Sequence, residues 1–244
     1  MFDLKRETIS GLECITVGLE NRKAAVDGVV VMCHGYGAPG TDLVSISAEY
    51  FSEKTQPTPS VAFIFPAAPL EIESGFDGRA WWPIDVQRLQ DMIQTGEAHH
   101  LADVIPERLG TCREMIDGII STAMDRWSLP GKRILIGGFS QGAMLATDVM
   151  LQSKNELGGL IVWSGTLINQ VVWRQMASKR PPFSVIQTHG FWDPILPFSG
   201  AVDLRELLRS AGHNVDFQSF QGYHTIPPSA INTFRNFVRA KFTS

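Results

Sequence analysis

Residues 133–146 read RILIGGFSQGAMLA. An apolar run ends on Gly-Phe-Ser-Gln-Gly and passes into small, helix-forming residues. That is the pattern of a strand reversing sharply into a helix, with a serine at the strained turn so that its hydroxyl stands clear of the sheet edge. Gly138 and Gly142 flank Ser140 two residues to either side, where a Cβ would collide with the neighbouring strand or helix. The strand-like RILIGG before the motif and the helix-like MLATDVMLQSK after it supply the context such a turn needs. Ser140 is therefore the candidate nucleophile.

Outward from Ser140, apolar runs of strand length recur: ECITVGL, GVVVMCHG, VAFIFPAAP, RILIGGF, GLIVWSG, FSVIQTHG and VDFQSF. Several are apolar at consecutive positions and rich in Val and Ile, as strands buried on both faces of a parallel sheet are. Helical patterns alternate with them. One runs from Leu43 to Lys54; a second, from about Pro106 to Trp127, repeats Leu109, Cys112, Met115, Ile116, Ile119 and Ile120 at steps of three and four. Others follow Ser140, span Ala201 to Ala211, and close the chain in SAINTFRNFVRAKF. The alternation predicts a single α/β domain over residues 1–244, its central sheet mostly parallel with helices on both faces and right-handed crossovers. Residues 66–100 break the rhythm. This long insertion holds Phe76, Trp81 and Trp82, and its apolar residues have no obvious place in a regular element, so it reads as lid-like cover for a binding groove.

Composition narrows the function. Of 244 residues 44% are hydrophobic and 19% charged, enough for a substantial core. With net charge −4 and no block of Lys or Arg, nothing offers a phosphate-binding stripe, which argues against nucleic acid as a partner. No apolar run approaches the roughly 20 residues that span a bilayer, and the charged start MFDLKRETIS does not read as a secretory signal. Cys14, Cys33 and Cys112 are odd in number and lack Cys-x-x-Cys spacing, so they read as buried, reduced thiols of a cytoplasmic protein. His99 and His100 are adjacent and would point apart on a helix, a poor metal site. No metal or organic cofactor is expected.

A serine hydroxyl needs a base, and the base works best when a third group orients it. In open α/β sheets such groups gather at the carboxyl ends of the strands. After FSVIQT comes HGFWDPILP, which places Asp193 just beyond a strand; after VDFQSF comes QGYHTIPP, which places His224 in the same relation to the last strand. The order Ser140, Asp193, His224 is that of α/β-hydrolases. Asp203, inside a predicted helix, and Asp216, at a strand start, are the competing acids. His189, expected to bond backbone at a strand end, and His213, in a helix-to-strand turn, are the competing bases. Oxyanion donors in such a fold are the backbone N–H after the nucleophile, here Gln141, and one from the loop after an early strand, here Tyr36 between Gly35 and Gly37.

Together HGYGAPG, FIFPAAP, WW, GFSQGA, HGFWDPILP and GYHTIP resemble the phospholipase/carboxylesterase family, which includes acyl-protein thioesterases and lysophospholipases. The resemblance runs from about residue 28 to 242 with the motifs in the family's order. It implies an α/β-hydrolase fold, Ser140, Asp193 and His224 as the triad, and Tyr36 and Gln141 as oxyanion donors. Ala38 stands where the eukaryotic thioesterase branch carries aspartate, and Ala143 where a glycine is common, features that look more like a bacterial carboxylesterase branch.

The expected reaction is hydrolysis of small-molecule carboxylic esters, with thioesters or lysophospholipids as further substrates, of short to medium acyl chains. Trp82, Trp81, Phe76 and Trp192 are expected to line the acyl site. A homodimer is compatible with the sequence. The alternatives are a peptidase or lactone hydrolase on the same scaffold, or a ligand-binding protein on an idle hydrolase fold.

Overall fold

Along the strand Gly28–Cys33, Val29, Val31 and Cys33 pack into one hydrophobic core and Val30 and Met32 into another, and all five side chains are buried. A strand apolar at every position has two faces to cover, and this one lies near the middle of a sheet with helices on both sides. The computed structural model describes residues 2–19, 26–52, 59–72 and 77–243.

The strands are β1 (Phe2–Ile9), β2 (Leu12–Leu19), β3 (Gly28–Cys33), β4 (Val61–Pro66), β5 (Leu70–Glu71), β6 (Arg79–Ala80), β7 (Ile134–Phe139), β8 (Gly159–Trp163), β9 (Ser184–Gly190) and β10 (Asn214–Phe220). Eight of them form one sheet in the order β1-β2-β4-β3-β7-β8-β9-β10. β1, β2 and β4 pair antiparallel; every junction from β4 through β10 is parallel. Helices α1 (Ser45–Ser52) and α7 (Pro228–Phe242) cover one face. On the other lie α3 (Leu109–Trp127), α4 (Gln141–Gln152), α5 (Gln170–Ala177) and α6 (Phe198–Ser210). This is the predicted mostly parallel α/β sheet.

The α7 face shows why the fold holds. Ala230, Phe234, Val238 and Phe242 recur at steps of four, and all are buried against the sheet. Phe234 packs edge-on to Trp163 with ring centroids 5.5 Å apart. Full burial of one such side chain contributes about 1.5–3 kcal/mol, and truncating it to Ala would cost about 3–5 kcal/mol through the cavity left behind.

Three elements differ from the sequence expectation. Phe2–Ile9, read as a charged start, is an edge strand tied to α3 by Glu7 and Arg126 at 2.6 Å. Residues 66–100 are not irregular throughout: β5 pairs with β6, and α2 (Val86–Gln94) is a helix capped by Asp85, whose Oδ1 accepts from Arg88 N–H at 3.0 Å. α5 was hidden in QVVWRQMA, where only Trp173 and Ala177 are buried.

Candidate active site

The carboxyl ends of β3, β7, β9 and β10 deliver four segments to one edge of the sheet. Ser140 follows β7 and opens α4 with φ 54° and ψ −119°, a left-handed conformation that costs about 1–3 kcal/mol in a non-glycine residue and persists only where its surroundings enforce it. Those surroundings are tight. A Cβ at Gly138 would sit 2.5 Å from Cys33 O, and one at Gly142 closer still, so β7 and α4 reach β3 only because both positions are glycine.

His224 Nε2 lies 2.8 Å from Ser140 Oγ, and His224 Nδ1 lies 2.6 Å from Asp193 Oδ2. Burial alone would push the Asp193 carboxyl upward, but the donors His189, His224 and Leu196 N–H outweigh it and hold it well below the usual carboxylate range. A carboxylate accepts only, so Nδ1 carries the His224 proton and Nε2 is left to accept from the serine hydroxyl. Asp193 Oδ1 in turn accepts from the N–H groups of Ile195 and Leu196, both at 2.9 Å, which fixes the carboxylate within its own turn. The N–H of Phe191 donates to Phe220 O and that of Trp192 to Gly222 O, joining the acid loop to the histidine loop. Asp203 and Asp216 are exposed, on α6 and β10, and neither bonds His224.

His189 is closer to the chemistry than its sequence position indicates. Its side chain is fully buried, and Nε2 lies 2.8 Å from Leu196 O and 3.3 Å from Asp193 Oδ2. A carbonyl and a carboxylate can only accept, so Nε2 carries the proton and donates it to Leu196 O, with Asp193 Oδ2 close beside it. The expected backbone bond is present; the approach to the acid went unforeseen. His213 bonds Ala177 O at 3.1 Å and stacks on Phe183, away from the triad.

The loop after β3 is held by His34. Its Nδ1–H donates to Gly35 O at 2.8 Å and its Nε2 accepts from Ala68 N–H at 3.0 Å, a pairing open only to the neutral ring. Burial pulls its pKa down to about 4, in keeping with that assignment. The loop passes close to the elbow: a Cβ on Gly35 would lie 3.4 Å from Ser140 Cβ. Among the described residues no backbone acceptor receives the N–H of Tyr36 or of Gln141, so both are available to an oxyanion.

The side chain of Gln141 does a second job. Fully buried, it accepts from Trp81 N–H at 2.9 Å and donates to Trp82 O at 2.8 Å. Trp81 Nε1–H donates to His34 O at 2.9 Å, and Cys112 Sγ–H to Trp81 O at 3.0 Å. The insertion is thereby bolted to the elbow and to the loop after β3 together.

The four aromatics expected to line an acyl site part company. Trp82 lines a cavity of about 580 Å³ with Ile84, Leu89, Met92, Met144 and Leu196. Trp81 does not line it; with no exposed surface, its ring packs against His34 at 5.5 Å between centroids, because its indole N–H and backbone are all spent on the clamp. Trp192 is 52% exposed, beside Tyr223 and off the cavity wall. Phe76 lies outside the described residues.

The profile of the phospholipase/carboxylesterase family matches residues 16–242. The chain belongs to that family. Its members' hydrolase character and α/β-hydrolase fold are those of this chain. It is 27% identical over 216 residues to acyl-protein thioesterase 1 homolog 1 of Dictyostelium discoideum, covering 86% of this chain and 88% of the relative. Among solved structures, esterase PE8 superposes with a TM-score of 0.71 at 23% identity, covering 98% of both chains. A carboxylesterase from Mesorhizobium loti superposes with a TM-score of 0.71 at 14% identity, covering 97% of this chain and 98% of that one. At those identities the structural likeness speaks for the fold.

Proposed function

We propose that this hydrolase cleaves carboxylic esters and thioesters of short to medium acyl chains through an acyl-enzyme on Ser140. The observation that carries the proposal is the unbroken hydrogen-bond chain from Ser140 Oγ through His224 to Asp193, mounted at a strained turn beside two open N–H groups. As Oγ attacks the carbonyl carbon, its proton passes to His224 Nε2, and Asp193 supports the charge that develops on the imidazole. The carbonyl oxygen, now an oxyanion, lies against the N–H groups of Tyr36 and Gln141. Collapse expels the alcohol or thiol with the proton from Nε2. Water then repeats the sequence on the acyl-enzyme and frees the acid and Ser140.

The Trp82 cavity takes the acyl chain in this scheme, with residues 66–100 as its cover. Its wall combines α2 of that segment with Met144, one helical turn after Ser140, and Leu196 of the acid loop. All the groups invoked come from one chain. Among the described residues no helix is long and apolar enough to cross a membrane. Burial pushes the Cys14 thiol up to about 12 and that of Cys112 up to about 11, so both are unreactive; three buried free thiols suit a reducing compartment such as the cytoplasm.

A series of linear acyl esters and thioesters tests the reading. Each methylene buried contributes about 0.8 kcal/mol, so kcat/KM should rise roughly fourfold per added carbon until the cavity is full. Trp82→Ala should move the optimum to longer chains. Rates independent of chain length, or an optimum unmoved by Trp82→Ala, would remove the acyl chain from this cavity, and turnover of peptides or lactones but not esters would overturn the substrate class.

A further inference from the structure

A second cavity meets the triad from the opposite face of the sheet. It measures about 660 Å³, opens between α1 and α7, and shares no wall residue with the Trp82 cavity. Its inner wall is Phe139 and His224, whose rings stand 4.8 Å apart. Asp42 and Glu49 line it on the α1 side, and Asn232 and Arg235 on α7. Arg235 is turned to its own surroundings, donating to Glu49 O and to Asn232 Oδ1. Among the described residues neither Asp42 nor Glu49 has a cation within salt-bridge distance. Among the described residues that line it, two carboxylates stand against one guanidinium.

Acyl transfer divides a substrate in two. The leaving atom must receive the proton held on His224 Nε2, so the part that departs begins against that imidazole, while the acyl part extends elsewhere. The apolar cavity beside Met144 suits a hydrocarbon chain. The α1/α7 cavity, walled by His224 itself, is about half apolar but also carries the carboxylates of Asp42 and Glu49, which a bare hydrocarbon would leave without a partner. We propose that the α1/α7 cavity receives the leaving group and favours alcohols or thiols that carry a positive charge. The inference rests on the acyl-enzyme reading above. In the step concerned, the bond from the acyl carbon to the leaving oxygen or sulfur breaks, the proton on His224 Nε2 moves to that atom, and the acyl group stays on Ser140 Oγ.

Two esters of one short fatty acid test it: the choline ester, and the 3,3-dimethylbutyl ester, in which an uncharged carbon replaces the quaternary nitrogen. At low ionic strength kcat/KM should favour the choline ester by roughly fivefold, the scale that two part-exposed charge pairs supply, and the preference should shrink as salt is added. In the double variant Asp42→Asn, Glu49→Gln the ratio of the two values should fall to near one. Because it is a ratio within one preparation, a general loss of folded enzyme cancels. Both esters give the same acyl-enzyme, so the deacylation rate should be common to both and should not depend on these two side chains. A ratio near one in the unaltered enzyme, or a double variant that keeps the preference, overturns the subsite. So does a double variant that instead changes deacylation or the acyl-length optimum, since the cavity would then hold the acyl group. Intact-mass detection of the acyl adduct separates the two levels: an adduct on Ser140 without charge preference defeats only the subsite, whereas turnover with no adduct defeats the acyl-enzyme reading beneath it.

Discussion

His189 Nε2, whose proton goes to Leu196 O at 2.8 Å, also lies 3.3 Å from Asp193 Oδ2, the same oxygen that His224 Nδ1 holds at 2.6 Å. The carboxylate thus has beside it an N–H that is not part of the serine–histidine chain, and that group is buried where water cannot replace it. Removing it with His189→Phe should lower kcat about tenfold with little change in KM, and should move the low-field proton resonance of His224 Nδ1–H. His189→Gln, which returns an N–H near the Nε2 position, should restore most of both. A Phe variant with unaltered kcat and an unmoved resonance would show that His189 only fills space.

The acid itself has a sharper test. Asp193→Asn should cost roughly 10⁴-fold in kcat, because an amide no longer fixes the tautomer that leaves Nε2 unprotonated. Asp203→Asn, on the exposed side of α6, should cost little. Steady-state kinetics on a single ester decide the ranking, and the reverse ranking would move the triad.

Gln141 couples the insertion to the elbow. Gln141→Ala keeps the backbone N–H but strands Trp81 N–H and Trp82 O, two groups that are buried and lose their partner. Each such group costs about 1–3 kcal/mol, so stability should fall by about 2–6 kcal/mol, and limited proteolysis should cut within residues 66–100 sooner than in the unaltered chain. Unchanged denaturation and cleavage would mean that the segment is held by packing alone.

Most of this architecture was legible in the chain. Of the strands that lead to the three groups, β7 and β9 are buried on both faces, whereas β10 is a part-exposed edge strand whose sequence VDFQSF alternates; each ends in a glycine-bounded loop, a signal that survives without neighbours. β1 was not legible, because an edge strand in an antiparallel hairpin can be exposed on both faces, as the adjacent Lys5 and Arg6 are. Trp81 and Trp82 are adjacent and chemically identical, and only the polar partners of Trp81, drawn from residues 34, 112 and 141, send one ring into the core and leave the other on the cavity. His189 was seen as a strand-end histidine; its approach to Asp193 depends on how the loop folds back, which spacing does not encode.

Acid should expose His34. In the unfolded chain a histidine takes up its proton near pH 6.5, whereas burial lowers His34 to about 4 in the fold. Between those values the unfolded state binds the extra proton, so stability is intact above about 6.5 and declines as pH falls toward 4, by up to about 1.4 kcal/mol per pH unit for each such group. His213, also lowered by burial, adds to the same decline. Urea unfolding from pH 7 to 4 should show a shallower slope in His34→Gln than in the unaltered chain. Equal slopes would show that His34 is not held neutral.

The most direct measurement is covalent labelling of the intact protein with a fluorophosphonate, followed by peptide mass mapping and kinetics of two variants. A single adduct on Ser140 is expected, with Ser140→Ala losing on the order of a million-fold in kcat, while Ser164→Ala, at another left-handed serine, retains activity. An adduct on Ser164 or Ser199, or a Ser140→Ala variant that still turns over ester at a comparable rate, would contradict the assignment of Ser140 as nucleophile.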